Sequence, residues 1–174
     1  LLSVDVNGAD AQNDDGRSRV LPDAALREVD VLHCNDAEAA SICRVAAAHL
    51  PDVGARARDA EAPVVFCERC AAWAHARGVA VVLLTLGEDG CYVSTTHDVR
   101  RLARVRFDWP AGEAARVPAF RVGQRALGSS PAAAPNANGA GDTFCAGFLA
   151  AALWQRPRLT LQQAAQCAAL AALH

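Results

Sequence analysis

Short apolar runs that end in polar residues alternate with segments of helical spacing along the first third of the chain. The run LLSVDVN at 1–7 predicts a buried strand, and LPDAALREV at 21–29 predicts a short helix with proline near its start. The run VDVLHCN at 29–35 predicts a second strand, and an alanine-rich helix is expected at about 35–50. The segment at 51–62 is polar and predicts a linker.

The middle of the chain contains a further helical pattern. Pro63 begins it, and Phe66, Cys70 and Trp73 recur at helical spacing and form the expected inner face. Gly78 stands where a glycine commonly ends a helix, because that position favours a positive φ. The pattern therefore predicts a helix that ends before this glycine.

The clearest strand pattern follows directly, in the run VAVVLLTL at 79–86. An unbroken aliphatic run of this length is typical of a central strand that is covered on both faces. The residues GEDG at 87–90 predict a tight turn into another strand at 91–95. Weaker strand patterns are present near 99–105 and 116–122.

The last part of the chain is predicted to be helical. A loop rich in Ser, Pro and Ala at 127–137 precedes two helices at about 140–154 and 159–173, with a break at Pro157. Strands that alternate with helices predict an α/β fold with a largely parallel sheet. Ligands of such sheets bind beyond the carboxyl ends of the strands, so the polar residues at these ends are the first candidates for a site.

Composition narrows the class of protein. The chain has 174 residues, of which 52% are hydrophobic and 21% charged, which suits a single globular domain. A net charge of -2 gives no electrostatic reason to expect a nucleic acid or an anionic membrane as a partner. No apolar run approaches the roughly 18 residues of a transmembrane helix, and the stretch LLSVDVNGAD lacks the basic segment of a secretory signal. These features predict a cytoplasmic protein.

The cysteines and basic residues exclude some kinds of site. Seven cysteines in apolar contexts favour buried thiols in a reducing compartment over a disulfide framework. Cys67 and Cys70 form a C-x-x-C pair, but no second pair stands at zinc-ligand spacing and both lie in a helical pattern, which favours a structural role. All 17 basic residues are arginine, which excludes a P-loop lysine and a Schiff-base lysine from these residues.

The stretch NANGAGDTFCAGF at 136–148 carries the most specific candidate chemistry. Gly139 and Gly141 allow the backbone to turn sharply and to approach a ligand closely, and the N–H groups at a helix start attract an anion. Asp142, beside these amides, could accept the proton of an attacking hydroxyl. It could equally be a carboxylate that offsets the helix dipole, for about 0.3–1 kcal/mol. The spacing alone leaves both interpretations open.

Two further motifs are weak when taken singly. Asn35 and Glu38 have the spacing of a capping box, although a carboxylate at a strand end could also link a hydrated divalent cation to phosphate oxygens. In TLGEDG, the residues Thr85, Gly87 and Gly90 leave the backbone open to a close neighbour, but a hairpin turn explains them equally well.

Taken together and in this order, the three motifs resemble the ribokinase-like (phosphofructokinase-B type) carbohydrate kinases. NGAGDTFCAGF is similar to the C-terminal signature of that family, and DVLHCNDAEA and VVLLTLGEDG are similar to the segments that precede it. The resemblance implies a three-layer ribokinase-like (Rossmann-like) sheet with helices on both faces. It also implies that 1–174 is a single partial kinase domain, the C-terminal ATP-binding and catalytic part, without the N-terminal half and the lid.

The resemblance implies an ATP-dependent phosphotransferase that moves the γ-phosphate of ATP to a hydroxyl of a sugar or nucleoside. Asp142 would be the general base that deprotonates this hydroxyl. The turn of Gly139, Ala140 and Gly141 would be the anion hole for the transferred phosphoryl group.

The same resemblance implies how the cofactors are bound. Asn35 and Glu38 would organise Mg²⁺, largely through water, near the ATP phosphates, with Glu38 on the metal side. Thr85, Gly87 and Gly90 would line the nucleotide site. A small-molecule acceptor and a homodimer of the full-length protein are further expectations.

Departures from the family pattern leave alternatives. The family usually has an aspartate at the position of Asn136, in the region that helps to build a monovalent-cation site. The sequence therefore does not decide whether K⁺ is a cofactor. The family's sugar-binding residues come from its N-terminal half, so the alternative is a truncated or degenerate nucleotide-binding domain without turnover. A generic dinucleotide binder predicts G-x-G-x-x-G after the first strand, which VDVNGAD does not supply.

Overall fold

The computed structural model describes residues 1–6, 22–43, 62–105, 107–120, 139–154 and 159–173. Of the predicted linker at 51–62, only Ala62 is described, as the first residue of a helix. The predicted loop at 127–137 and the break at Pro157 lie outside these ranges.

Within these ranges, five strands form one sheet in the order β1-β2-β3-β4-β5. They are β1 (Ser3–Asp5), β2 (Val31–Asn35), β3 (Val81–Thr85), β4 (Cys91–Thr95) and β5 (Ala114–Val117). The pairs β1–β2 and β2–β3 are parallel, and the pairs β3–β4 and β4–β5 are antiparallel. The prediction of a largely parallel sheet is therefore wrong for β4 and β5, which pair in antiparallel orientation. A single 3-10 turn, Gly87–Asp89, joins β3 to β4, and a parallel pair would need a crossover of a dozen or more residues.

Helices cover both faces of this sheet, as predicted. They are α1 (Asp23–Leu26), α2 (Asp36–Cys43), α3 (Ala62–His75), α4 (Val99–Arg104), α5 (Ala140–Trp154) and α6 (Leu161–Ala171). Successive residues of a strand point to opposite faces, and β3 shows this directly. Its Val81 and Leu83 belong to the core that contains Phe148 of α5, whereas Val82 and Leu84 belong to the core that contains Cys70 of α3. The prediction of a central strand covered on both faces is confirmed.

Two weaker strand predictions need correction. The segment predicted as a strand at 99–105 is the helix α4, because the Asp98 carboxylate accepts hydrogen bonds from the N–H groups of Arg100 and Arg101 and so caps a helix start. The strand predicted at 116–122 is β5, which ends before Pro118, a residue without an N–H group to continue the ladder.

The inner face of α3 is also shifted from its predicted position. Cys70 is buried as expected, but Phe66 and Trp73 are only partly buried at the edge of the core, and Ala71 and Ala74 take the inner positions. Small side chains there allow the helix to lie close to the sheet. Gly78 follows the helix with a φ of 100°, as the sequence predicted.

The C-x-x-C pair has the character of structural thiols. Cys67 and Cys70 are both buried, and burial raises the pKa of Cys67 to about 11. A thiol with so high a pKa is protonated at neutral pH and is a poor nucleophile or metal ligand. None of the helices in the described ranges is long and apolar enough to cross a bilayer.

Candidate functional site

The parallel half of the sheet brings three polar strand ends to one edge. Asp5 ends β1, Asn35 ends β2 and Thr85 ends β3. In the sheet register Asp5 is paired with His33, and Asn35 is paired with Thr85. Because the carboxyl ends of parallel strands are open to solvent beyond the sheet, ligands commonly bind at such an edge.

An open cleft of about 660 Å³ lies at this edge. The first turn of α5 and the first turn of α2 form part of its wall. All the residues that the motifs singled out line the cleft: Asn35, Glu38, Thr85, Gly87, Gly90, Gly139, Ala140, Gly141 and Asp142. The fold therefore brings three motifs that are far apart in sequence into one cavity.

Asn35 and Glu38 form the capping box at the start of α2. The Asn35 Oδ1 atom accepts a hydrogen bond from the Glu38 N–H at 2.8 Å, and the Glu38 Oε2 atom accepts one from the Asn35 N–H at 2.9 Å. The Glu38 side chain is buried yet lines the cleft. Local capping and a place at the cleft are therefore compatible, since among the described residues only the Oε2 atom of the Glu38 carboxylate accepts a hydrogen bond.

In the turn before Asp142, Gly139 has the positive φ that glycine favours, whereas Gly141 lies within α5 and does not. Gly139 has a φ of 82°, and its carbonyl accepts hydrogen bonds from the N–H and the hydroxyl of Thr143 at 2.9 and 2.8 Å. Asp142 lies in the first turn of α5 and is exposed to the cleft. The helix N-terminus and the carboxylate thus face the same space, where an anion and a proton donor could both be held.

The glycines after β3 serve packing as well as the cleft. Gly90 has a φ of 92°, and a Cβ atom there would lie 2.0 Å from the carbonyl oxygen of Val117. Gly87 also has a positive φ, of 58°, but no atom lies within 4 Å of its Cβ position. The close approach of β5 therefore requires glycine at position 90, whatever binds in the cleft.

The motifs did not indicate three polar residues of the cleft, Asp5, His33 and Asp36. His33 is buried, and its Nδ1 atom lies 2.8 Å from the Asp5 carboxylate. A signal for His33 was present in the sequence, because residues two apart on a strand share a face and His33 stands two before Asn35. Asp5 is the last residue of a strand at the edge where the site was expected.

Carboxylates dominate the charge of the cleft. Four line it, and the described lining residues include neither arginine nor lysine. The four are Asp5, Asp36, Glu38 and Asp142. Burial raises the pKa of the nearby Cys145 thiol, and the negative charges of Asp5 and Asp142 raise it further. The carboxylates among the described lining residues would repel a polyphosphate, and a bound cation would offset this repulsion.

The donor set suits magnesium better than a metal that needs several protein ligands. Within the described ranges, no three or more His, Cys, Asp or Glu side chains are grouped to hold a metal ion. Mg²⁺ usually keeps several waters and takes only one or two carboxylates together with substrate phosphates, so Glu38 at the sheet end fits this requirement. Asn136, at which the resemblance raised the question of K⁺, lies outside the described residues.

Comparison with known proteins identifies the fold. No protein-family model matches the chain, and no curated protein matches it. Among solved structures, Arabidopsis thaliana ribokinase complexed with ribose and ATP matches 98% of the chain at 20% identity, with a TM-score of 0.60. Ribokinase from Thermotoga maritima matches 88% at 18% identity and a TM-score of 0.56. Anopheles gambiae adenosine kinase, in complex with di(adenosine-5) tetraphosphate, matches 86% at 22% identity and a TM-score of 0.52.

These likenesses extend over part of each neighbour only. The chain spans 38% of the Thermotoga ribokinase, 39% of the Arabidopsis ribokinase and 35% of the Anopheles adenosine kinase. At such identities a structural match shows the fold, which is the ribokinase-like α/β fold that the motifs predicted.

Proposed function

We propose that this chain forms the nucleotide-binding and catalytic part of an ATP-dependent kinase that phosphorylates a hydroxyl group of a sugar or nucleoside. The observation that carries this proposal is that three separate motifs, chosen from sequence alone, line one cleft. The proposal extends to a cytoplasmic protein, because the buried cysteines Cys67, Cys91 and Cys145 suit a reducing compartment, and to a homodimer of the full-length protein.

In the proposed reaction the acceptor hydroxyl oxygen attacks the γ-phosphorus of ATP, and the bond from that phosphorus to the ADP oxygen breaks. Asp142 accepts the proton that the hydroxyl loses. The N–H groups of the turn at Gly139, Ala140 and Gly141 bind the oxygens of the transferring phosphoryl group, whose negative charge they stabilise. The products are ADP and the phosphorylated acceptor.

The rest of the cleft serves the nucleotide. Glu38, with Asn35 beside it, would hold Mg²⁺, which when bound offsets the negative charge of the phosphates. Thr85 and the glycines of the turn after β3 would line the phosphate and ribose part. Phe120 and Leu173 give the cleft an apolar region that suits a nucleotide base.

The experiment is a transfer assay on the full-length protein with Mg·ATP and a panel of sugars and nucleosides. Asp142→Asn is expected to lower kcat by roughly 10²–10⁴-fold, because a positioned general base contributes about that much. The affinity for ADP, measured by calorimetry, should change little. Asp23→Asn is the matched control, since Asp23 also lies in the first turn of a helix but outside the cleft, where it pairs with Arg77 at 3.0 Å.

Equal turnover in wild type and Asp142→Asn would contradict the assignment of Asp142 as the base. A second candidate is a nucleotide-binding domain without turnover. ADP binding by the full-length protein without transfer to any acceptor, and without ATP hydrolysis, would support that candidate instead.

A further inference from the structure

The His33 side chain contacts three other elements, β1, β3 and α5, beneath the turn that precedes Asp142. It lies on β2, and its Nδ1 atom is 2.8 Å from Asp5 Oδ1 on β1. Its Nε2 atom is 3.5 Å from the Thr85 hydroxyl on β3, a long contact. Only 3% of His33 is exposed, although it lines the cleft. A buried imidazole held in this way has one fixed orientation.

The third element is α5, which rests on the same ring. The ring of Phe144 stacks on His33 with a centroid distance of 5.7 Å and an interplanar angle of 28°. A Cβ atom at Gly141 would lie 3.3 Å from His33 Cε1. Gly141 is not among the glycines with positive φ, so the histidine ring rather than backbone conformation accounts for the small residue there.

We propose that His33, oriented by Asp5, is the positioning residue that sets the place of the turn Gly139–Asp142 relative to the end of the sheet. The inference rests on the proposed kinase function. The ring acts through its neighbours, because it stacks on Phe144 and occupies the space that a side chain at position 141 would need, and both residues are on the element that carries Asp142. Neither the capping box nor the glycine turns provide such a link between α5 and β2.

A positioning role predicts a particular kinetic signature. A displacement of about 1 Å in a reacting group can lower a rate by roughly 100-fold, whereas a bound nucleotide tolerates a small shift of one wall more easily. Loss of the ring should therefore lower kcat more than it raises KM for ATP. A histidine that only stabilises the fold would lower the melting temperature and the fraction of folded protein, but not kcat per folded molecule.

The test compares His33→Ala with His75→Ala in the full-length protein. His75 is a matched control: its Nδ1 lies 2.9 Å from the Val79 carbonyl oxygen and its Nε2 lies 3.0 Å from the Ser94 hydroxyl, but it is outside the cleft at the amino end of β3. His33→Ala is expected to lower kcat per folded molecule at least about tenfold, with KM for ATP within about threefold of wild type. His75→Ala should lower the melting temperature and leave both constants near wild type.

Substitutions of Asp5 provide a second arm if His33→Ala does not fold. Asp5→Asn keeps an oxygen that can accept a hydrogen bond from the His33 ring, whereas Asp5→Ala removes it. Asp5→Asn should therefore retain at least about threefold more kcat than Asp5→Ala. A third arm uses Gly141→Ala, whose Cβ atom would lie 3.3 Å from His33 Cε1. Because His33→Ala removes that ring, Gly141→Ala should lower kcat less in the His33→Ala background than in wild type.

The outcomes separate this inference from the proposed function. If Asp142→Asn abolishes turnover but His33→Ala and His75→Ala affect kcat equally, or Asp5→Asn and Asp5→Ala are alike, the positioning role is wrong and the kinase proposal stands. If the wild-type protein binds no ADP and transfers no phosphate, the kinase proposal fails and the inference fails with it. Both are supported if Asp142→Asn loses turnover and if His33→Ala and Asp5→Ala lower kcat per folded molecule while His75→Ala does not.

Discussion

Glu38 illustrates how one side chain can satisfy local structure and still be available for chemistry. Its carboxylate completes the capping box with Asn35, which explains why an acidic residue stands there in terms of helix stability alone. It also lines the cleft, where a carboxylate is proposed to hold Mg²⁺. Substitution by alanine would remove both contributions and could not distinguish them.

Glu38→Gln distinguishes the two roles. Glutamine can complete a capping box, so the free energy of unfolding should remain within about 0.5 kcal/mol of wild type. The Mg²⁺ concentration needed for half-maximal activity should rise roughly tenfold, because the charged ligand is lost. Glu38→Ala, as the comparison, should also lose about 1 kcal/mol of stability. An unchanged Mg²⁺ requirement in Glu38→Gln would mean that Glu38 only caps the helix.

Gly90 and Gly139 both have positive φ, but alanine should affect them differently. At Gly139 no atom lies within 4 Å of the Cβ position, so the cost is conformational, about 1–2 kcal/mol. At Gly90 the Cβ atom would lie 2.0 Å from a backbone oxygen, so the end of β5 must move. Urea unfolding should show a greater loss of stability for Gly90→Ala than for Gly139→Ala. The reverse order would contradict the described approach of β5 to this turn.

The strands and helices are also joined at the edge of the sheet opposite the cleft. Arg101 of α4 is buried and donates hydrogen bonds to Asp30 Oδ1 at 2.6 Å, to the Val29 carbonyl at 2.8 Å and to the Gly78 carbonyl at 2.6 Å. Burial by itself raises the pKa of Asp30, but the Leu2 N–H and the Arg101 guanidinium outweigh it and hold this pKa below its ordinary value of 3.8. The pair therefore ties the helix to the amino ends of β2 and β3.

This ion pair predicts a pH dependence. A carboxyl group whose pKa is lowered by folding stabilises the protein above its unfolded pKa of about 4, and the contribution is lost as the pH falls through the folded pKa. The free energy of unfolding of wild type should exceed that of Asp30→Asn by roughly 1–3 kcal/mol at pH 7, and this difference should shrink below about pH 4. Chemical unfolding across this pH range measures it. A gap that stays constant down to acid pH would contradict the account.

The elements that sequence patterns predicted well are those in which one physical signal dominates. The aliphatic run of β3 and the long apolar helices α5 and α6 have no competing signal, and their positions are confirmed. The helix α4 was predicted as a strand because its short VRRLAR sequence has a weak pattern, and the cap at Asp98 decides its structure. The antiparallel half of the sheet begins at the short turn between β3 and β4. The alternation of strands and helices elsewhere in the chain led instead to the prediction of a largely parallel sheet.

Across the molecule, the candidate site was more predictable than some of the elements around it. Glycine turns and an acid at a helix start have fixed local spacing, so the residues on the cleft could be found before their distances were known. Asp5 and His33 could not be paired in this way, because their contact depends on the register between β1 and β2. The chain contains no lysine, but nothing in the sequence predicted that the described lining residues of the cleft would include four carboxylates and no arginine.

The most direct test of the account is a crystal structure of the full-length protein with ADP, Mg²⁺ and aluminium fluoride, which mimics the transferring phosphoryl group. We expect the fluoride to accept hydrogen bonds from the N–H groups of the turn before Asp142, with the metal on the side of the cleft formed by Glu38. Nucleotide bound away from this cleft, or an Asp142 carboxylate directed away from the fluoride, would contradict the proposed phosphoryl transfer.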